Sequence, residues 1–125
     1  MIKYFKYSLL VAATLLPACA GPIGIPNPAS VYCADAGGKP LTEKRPDGSE
    51  FGICRFENDR ECGQWALFRG ECPMGGIDVS PYPTDAARFC AITGGTVQVD
   101  GNRIECTTKN GRTCEAEIHF INGCR

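Results

Sequence analysis

Nine cysteines lie within 125 residues, and their number and spacing carry the chemistry this chain can offer. Eight fall into two sets with the same closing rhythm: Cys33, Cys54, Cys62 and Cys72, then Cys90, Cys106, Cys114 and Cys124. In both sets seven residues separate the second cysteine from the third, and nine separate the third from the fourth. The first interval is twenty residues in one set and fifteen in the other. Four thiolates brought to one point can hold zinc, but zinc ribbons use paired Cys-x-x-Cys knuckles, and this chain has none. Disulfides are the chemistry the spacing favours, and they form where the compartment is oxidising. Cys19 stands outside both sets, and setting it aside leaves the even number that a full disulfide framework needs. No metal and no cofactor is expected.

Other reactive side chains are sparse. His119 is the single histidine and reads as an ordinary surface residue. With eight cysteines oxidised, no Cys–His nucleophile remains. No Gly-x-Ser-x-Gly, phosphate loop or paired-histidine motif occurs. The chain is therefore expected not to be an enzyme.

Cys19 has a different setting. Lys3 and Lys6 precede an apolar run from Ser8 to Leu16, followed by Leu16-Pro17-Ala18-Cys19. A basic start, a short apolar stretch and small residues before a cut site describe a secretory signal over residues 1–18. The run is shorter than the roughly 20 apolar residues a membrane-spanning helix needs. Leu16 to Cys19 resembles a bacterial lipobox, in which the cysteine is acylated, by chains such as palmitate, and becomes residue one. Ala20, in place of an aspartate, leans towards outer-membrane sorting. Acyl chains anchor firmly because each buried methylene contributes about 0.8 kcal/mol. The expected location is the bacterial envelope, lipid-anchored at the outer membrane and facing the periplasm. Without Lys3 and Lys6, eleven basic residues face fourteen acidic ones. With no basic stripe, nucleic acid is excluded as a partner.

The elements that must hold the sulfurs are short. Residues 19–26 read as an anchor and extended tether. Unit one, residues 27–72, opens at Asn27-Pro28, an N-cap followed by proline at the first helical position. A helix is predicted from Pro28 to Ala36, ended by Gly37. A β-hairpin is predicted from Lys39 to Phe56, turning at Asp47-Gly48. A short helix is predicted from Arg60 to Arg69, stopped by Gly70, although alternation through Cys62, Gln64, Ala66 and Phe68 also admits a strand. An unbroken helix would hold Cys62 and Cys72 roughly 15 Å apart at about 1.5 Å per residue. That exceeds disulfide reach, so pairing these two requires the chain to turn back at Gly70. The cysteine spacing by itself leaves the connectivity open.

Residues 73–83 hold three prolines and two glycines and read as a linker. Unit two, residues 84–125, repeats the plan. Thr84-Asp85 caps a helix through Cys90, and Gly94-Gly95 mirrors Gly37-Gly38. Strands from Thr96 to Val99 and from Arg103 to Thr107 flank a tighter turn. Cys114 to Phe120 matches Cys62 to Phe68, but alternates as a strand would. The expected fold class is α+β: two small tandem disulfide-stapled units, each with a short helix, a β-hairpin, and a short helix or strand. At about 45 residues, each unit is near the size at which a hydrophobic core alone fails and cross-links become the remedy.

Several blocks of unit one carry a resemblance: Asn27-Pro28-Ala29-Ser30-Val31-Tyr32-Cys33, the pair Gly37-Gly38, Gly52-Ile53-Cys54, and the run from Cys62 to Cys72. Together they resemble a small bacterial exported domain family of unknown function, DUF333, whose members carry a hemolysin label. Unit two looks like a diverged copy, with Glu117 where unit one has Trp65 and Ile121 where it has Arg69. The resemblance implies a small cysteine-bonded domain on an exported, often lipid-anchored protein, and brings no catalytic motif.

The functional expectation is a binding or cell-envelope role. Trp65, Phe68, Arg69 and Glu71 are the candidate interaction surface, since tryptophan and arginine are enriched at interface hot spots. The competing assignment makes Trp65 and Phe68 the core of a tiny domain. The alternatives in function are a hemolysin-like, membrane-perturbing protein and a small inhibitor of a secreted hydrolase. For an inhibitor, the tip Arg45-Pro46-Asp47-Gly48 and the loop Glu57 to Arg60 are the candidate reactive segments. The expected partners are the membrane, through Cys19, and an envelope or secreted protein.

Overall fold

The computed structural model describes residues 27–125; the expected signal segment, Cys19 and the expected tether lie outside the described residues. The first half runs α1 (Pro28–Asp35), β1 (Lys39–Lys44), β2 (Glu50–Arg55), a single 3-10 turn, β3 (Arg60–Gly63) and α2 (Gln64–Phe68). A two-residue strand, β4 (Ile77–Asp78), follows within the stretch expected to connect the units. The second half runs α3 (Asp85–Ile92), β5 (Thr96–Asp100), β6 (Arg103–Thr107), β7 (Thr113–Glu115) and α4 (Ala116–Asn122). One antiparallel sheet is ordered β1-β2-β3-β4, the other β5-β6-β7. The class is α+β, in two sheet-containing halves.

Local chemistry sets the element ends. Asn27 caps α1 by accepting from the Ala29 N–H at 2.9 Å, and Thr84 caps α3 by accepting from the Ala87 N–H at 3.1 Å. These caps satisfy donors that the first helical turn leaves unpaired. At the β1–β2 turn, the Asp47 carboxylate accepts from both the N–H and the hydroxyl of Ser49. The Ser49 hydroxyl, then its backbone N–H, hold the Asp47 carboxyl below its usual range.

The last segment of each half corrects the sequence expectation. A helix over Arg60–Arg69 is half right: β3 occupies Arg60–Gly63, and the helix begins only at Gln64. The same order holds in the second half, where Thr113–Glu115 is strand and Ala116–Asn122 is helix. The alternation around Cys114 and the caps around Trp65 each reported one part of a strand-then-helix unit.

This order fixes the disulfides. Cys54 lies directly opposite Cys62 across β2 and β3, and Cys106 opposite Cys114 across β6 and β7. In each half the first of these bonds to the overlying helix, as Cys33–Cys54 and Cys90–Cys106. The second bonds to the chain returning after the short helix, as Cys62–Cys72 and Cys114–Cys124. Gly70 and Gly123 make that return at φ of 75° and 70°, a left-handed conformation that suits glycine. The double glycines follow from the sulfurs. A β-carbon on Gly38 would collide with Cys54 Sγ, and one on Gly95 would lie 2.7 Å from Cys90 Sγ.

Sulfur also supplies much of the core. The largest side chains wholly removed from solvent are Ile53, Ile92 and five cysteines: Cys33, Cys54, Cys62, Cys90 and Cys106. Cross-links closing loops of this kind stabilise by about 2–4 kcal/mol each, which is large against the yield of so small an apolar interior.

Candidate functional site

The α2 helix divides its side chains sharply. Gln64, Ala66 and Leu67 are buried, whereas Trp65 and Phe68 are 42% and 44% exposed. Gln64 seats the helix. Its amide nitrogen donates to the carbonyls of Leu41 and Ile53, both at 3.1 Å, and its oxygen accepts from the Ser30 hydroxyl at 2.7 Å. One side chain thus ties α1, β1 and β2 together. Gly52 leaves room for it, since a β-carbon there would lie 2.6 Å from the Gln64 carboxamide carbon.

With Gln64 inward, Trp65 and Phe68 face outward as an edge-to-face pair with ring centroids 5.7 Å apart. Phe68 makes a second edge-to-face contact with Tyr32 of α1 at 5.6 Å. The Arg69 guanidinium stands over the Trp65 ring at 5.5 Å, a cation–π contact. Trp65 and Phe68 are therefore not the core of the domain; Ala66, Leu67 and the disulfides are. Glu71 is drawn away from this group. Its carboxylate accepts from Lys109 of the second half at 2.6 Å and is mostly buried.

A groove of about 470 Å³ begins beside Trp65 and Arg69 and ends against Phe89 and Thr93 of the second half. Its far end is closed by Arg45, whose guanidinium lies 5.2 Å from the Phe51 ring and 5.0 Å from the Phe89 ring. Arg45 also donates to the Ser49 hydroxyl and the Glu50 carbonyl. The hairpin tip, a candidate reactive segment for inhibition, thus folds its arginine back over aromatic rings. The other candidate, Glu57 to Arg60, holds Asn58 and Asp59 at positive φ, and Arg60 donates to the Gly76 carbonyl at 3.1 Å.

His119 is not the ordinary surface histidine that composition suggested. Its Nδ1 is buried with no hydrogen-bond partner, and its ring lies 5.3 Å from Phe89. Burial first, and then the nearby Arg45 charge, push its proton affinity down, so the imidazole is neutral around pH 7. Its ring and the sulfurs of Cys90 and Cys106 place ligand-type atoms within 4.8 Å of one another. Those sulfurs are bonded to each other, and zinc takes thiolates rather than a disulfide.

The structure thus brings Trp65, Phe68 and Arg69 together, adds Tyr32, and assigns Glu71 to the contact between halves. Tyr32 carried no sequence signal as a site residue, because its role depends on α2 crossing α1. No curated protein and no solved structure matches the chain. Residues 24–71, which run from just before α1 through Glu71, match the model of the family described as a domain of unknown function, DUF333, and the support for that family rests on this first half.

Proposed function

We propose that the protein is an exported, lipid-anchored, non-enzymatic binding module of the bacterial cell envelope, built from two tandem copies of one small domain, the second diverged. The observation that carries the binding role is the aromatic group of Trp65, Phe68 and Tyr32, with Arg69, held outward on a rigid base. A cross-linked scaffold lowers the entropy lost when such a surface binds, and large exposed apolar clusters mark interaction sites.

Duplication is supported by matching element order and matching disulfide pairs in the two halves. Export and anchoring are supported by the segment from Lys3 to Cys19, and by parity, since the other eight cysteines are all paired. Outer-membrane sorting rests on Ala20. The hemolysin label gains no support from the described helices, none of which is long and apolar enough to cross a membrane.

Mass spectrometry of the protein recovered from bacterial membranes tests this function. The expected N-terminal peptide begins at Cys19 and carries diacylglycerol and acyl mass, and the peptide map without reductant shows four cross-links. A Cys19→Ser variant should lose membrane partitioning. An unmodified N-terminus beyond Cys19, or eight free thiols, would overturn the proposal.

A further inference from the structure

The two halves present equivalent faces, and only one of them is covered. Aligned on the first cysteine of each set, Tyr32 corresponds to Phe89; aligned on the third, Phe68 corresponds to Phe120. In the second half this aromatic pair lies under the first half. Phe51 of β2 meets Phe89 at 5.0 Å and Phe120 at 5.8 Å, leaving them 8% and 5% exposed. In the first half, nothing among the described residues covers the equivalent pair, and Phe68 and Trp65 stay open to solvent.

The composition of the two faces differs as well. Arg88 rims the covered face and bonds Glu43 and Glu61 across the seam. Its counterpart on the open face is Val31, 44% exposed. Glu117 is replaced by Trp65, and Ile121 by Arg69. The open face has thus lost the charge that pairs with a protein sheet, and has gained an aliphatic residue, an indole and one outlying guanidinium. Its one exposed carboxylate on α1 is Asp35, so face and rim together carry little net charge.

We propose that this α1–α2 face rests on the lipid bilayer, with Val31, Tyr32, Trp65 and Phe68 in the interfacial layer and Arg69 at the phosphates. This rests on the anchoring of Cys19 and names the partner of the exposed surface. Seven residues separate Cys19 from Asn27, a reach of at most about 28 Å over the eight steps at roughly 3.5 Å per residue. The helix that starts there is α1 itself, only about 12 Å long at 1.5 Å per residue, so the whole face lies within reach of the membrane holding the anchor. Tryptophan and tyrosine favour the interface between lipid and water, and arginine extends its charge to the headgroups while its stem lies on apolar surface. A second membrane contact fixes the orientation of the domain, because the anchor keeps the face at high local concentration.

Trp65 is the only tryptophan and reports the contact directly. The mature chain from Cys19 would be placed on vesicles of phosphatidylcholine and phosphatidylethanolamine in two forms: acylated in cells, and with the Cys19 thiol coupled to a maleimide lipid. The expected result in both is a blue shift of Trp65 emission, quenching by brominated acyl chains, and protection from aqueous acrylamide. Val31→Glu should abolish all three while leaving the melting temperature unchanged, as that position is solvent-exposed. Phe68→Glu should abolish them too, with a lower melting temperature because it also loses the ring contacts to Tyr32 and Trp65; if one variant fails to fold, the other still decides. If cells do not acylate Cys19, the anchoring fails, but the maleimide form still tests the face. Emission and acrylamide access on vesicles equal to those of the unanchored protein would overturn the proposal. So would protection of Trp65 in native envelopes without protection on vesicles, which would assign the face to a protein.

Discussion

Leu67 in the first half and His119 in the second occupy the same place after the third cysteine, and the exchange puts an ionisable ring where a hydrocarbon fits. His119 is neutral for two reasons, burial and then Arg45, and its buried Nδ1 has no acceptor to receive a proton's charge. The folded protein therefore binds this proton less readily than the unfolded chain, whose imidazole titrates near 6.5. Stability from this group is complete above about pH 6.5 and is lost as pH falls towards the folded pKa. Melting temperatures between pH 5 and 7.5 check it: the His119→Leu variant should lose the part of the acid slope centred below pH 6.5. An unchanged slope would assign that acid sensitivity to other groups. The second glycine of each pair makes a companion case. Gly38→Ala and Gly95→Ala each press a methyl against a disulfide sulfur, and overpacking of this kind costs about 1–3 kcal/mol. Denaturant titration of each variant measures it.

Gln64 shows how one residue joins elements. It satisfies two carbonyls and a hydroxyl from three elements while nearly inaccessible to water. Gln64→Leu matches its size but takes the donor away from the buried Ile53 carbonyl and the part-buried Leu41 carbonyl, at about 1–3 kcal/mol for a buried group left unsatisfied. Denaturant unfolding should show that loss, with retained helix content showing that α2 still forms. Such a joint is not legible in the sequence, where Gln64 looks like one more polar residue in an alternating run. What the sequence did expose at this scale is local. Asn27-Pro28 and Thr84-Asp85 are caps whatever surrounds them, and Asp47-Gly48 turns a hairpin by its own hydrogen bonds. The switch from strand to helix at Gln64 and Ala116 was hidden because each piece is too short to establish a period. Tyr32 and Trp65 posed a related difficulty. A tiny domain with one indole invites burial of that indole, and only the hydrogen bonds that hold Gln64 inward turn it to the outside.

At the scale of the whole chain, the two halves are joined by contacts that belong to neither. Phe51 extends from the first sheet into the aromatic core of the second half. Glu61, with a side chain only 4% exposed, accepts from Arg55 at 2.8 Å and from Arg88 of α3 at 2.7 Å. Arg88 reaches on to Glu43 at 2.5 Å. Burial works against the Arg88 charge, but Glu61 and Glu43 more than offset it and raise its pKa above the ordinary value. A repeated cysteine rhythm suggested two separately stapled units, and nothing in either set names the residue that crosses between them. Pairing of Phe51 with Phe89 and Phe120 is a tertiary fact with no local signature. It has a thermodynamic consequence, because a half that buries part of its core under its neighbour should not unfold alone. Trp65 fluorescence reports the first half, and amide exchange in β5 and β6 reports the second. In the oxidised protein both should yield one opening free energy and one midpoint. Phe51→Ala should cost about 3 kcal/mol, at the low end for such a truncation because the ring is only half-buried. Arg88→Ala should cost a similar amount, about 3 kcal/mol, by leaving Glu61 short of one partner. Combined, the two substitutions should split the transition, with β5 and β6 exchanging at a denaturant concentration where Trp65 still reports a folded environment. Two midpoints already present in the unmodified protein would mean that the seam is only a contact, and that each set of four cysteines holds its own half without help.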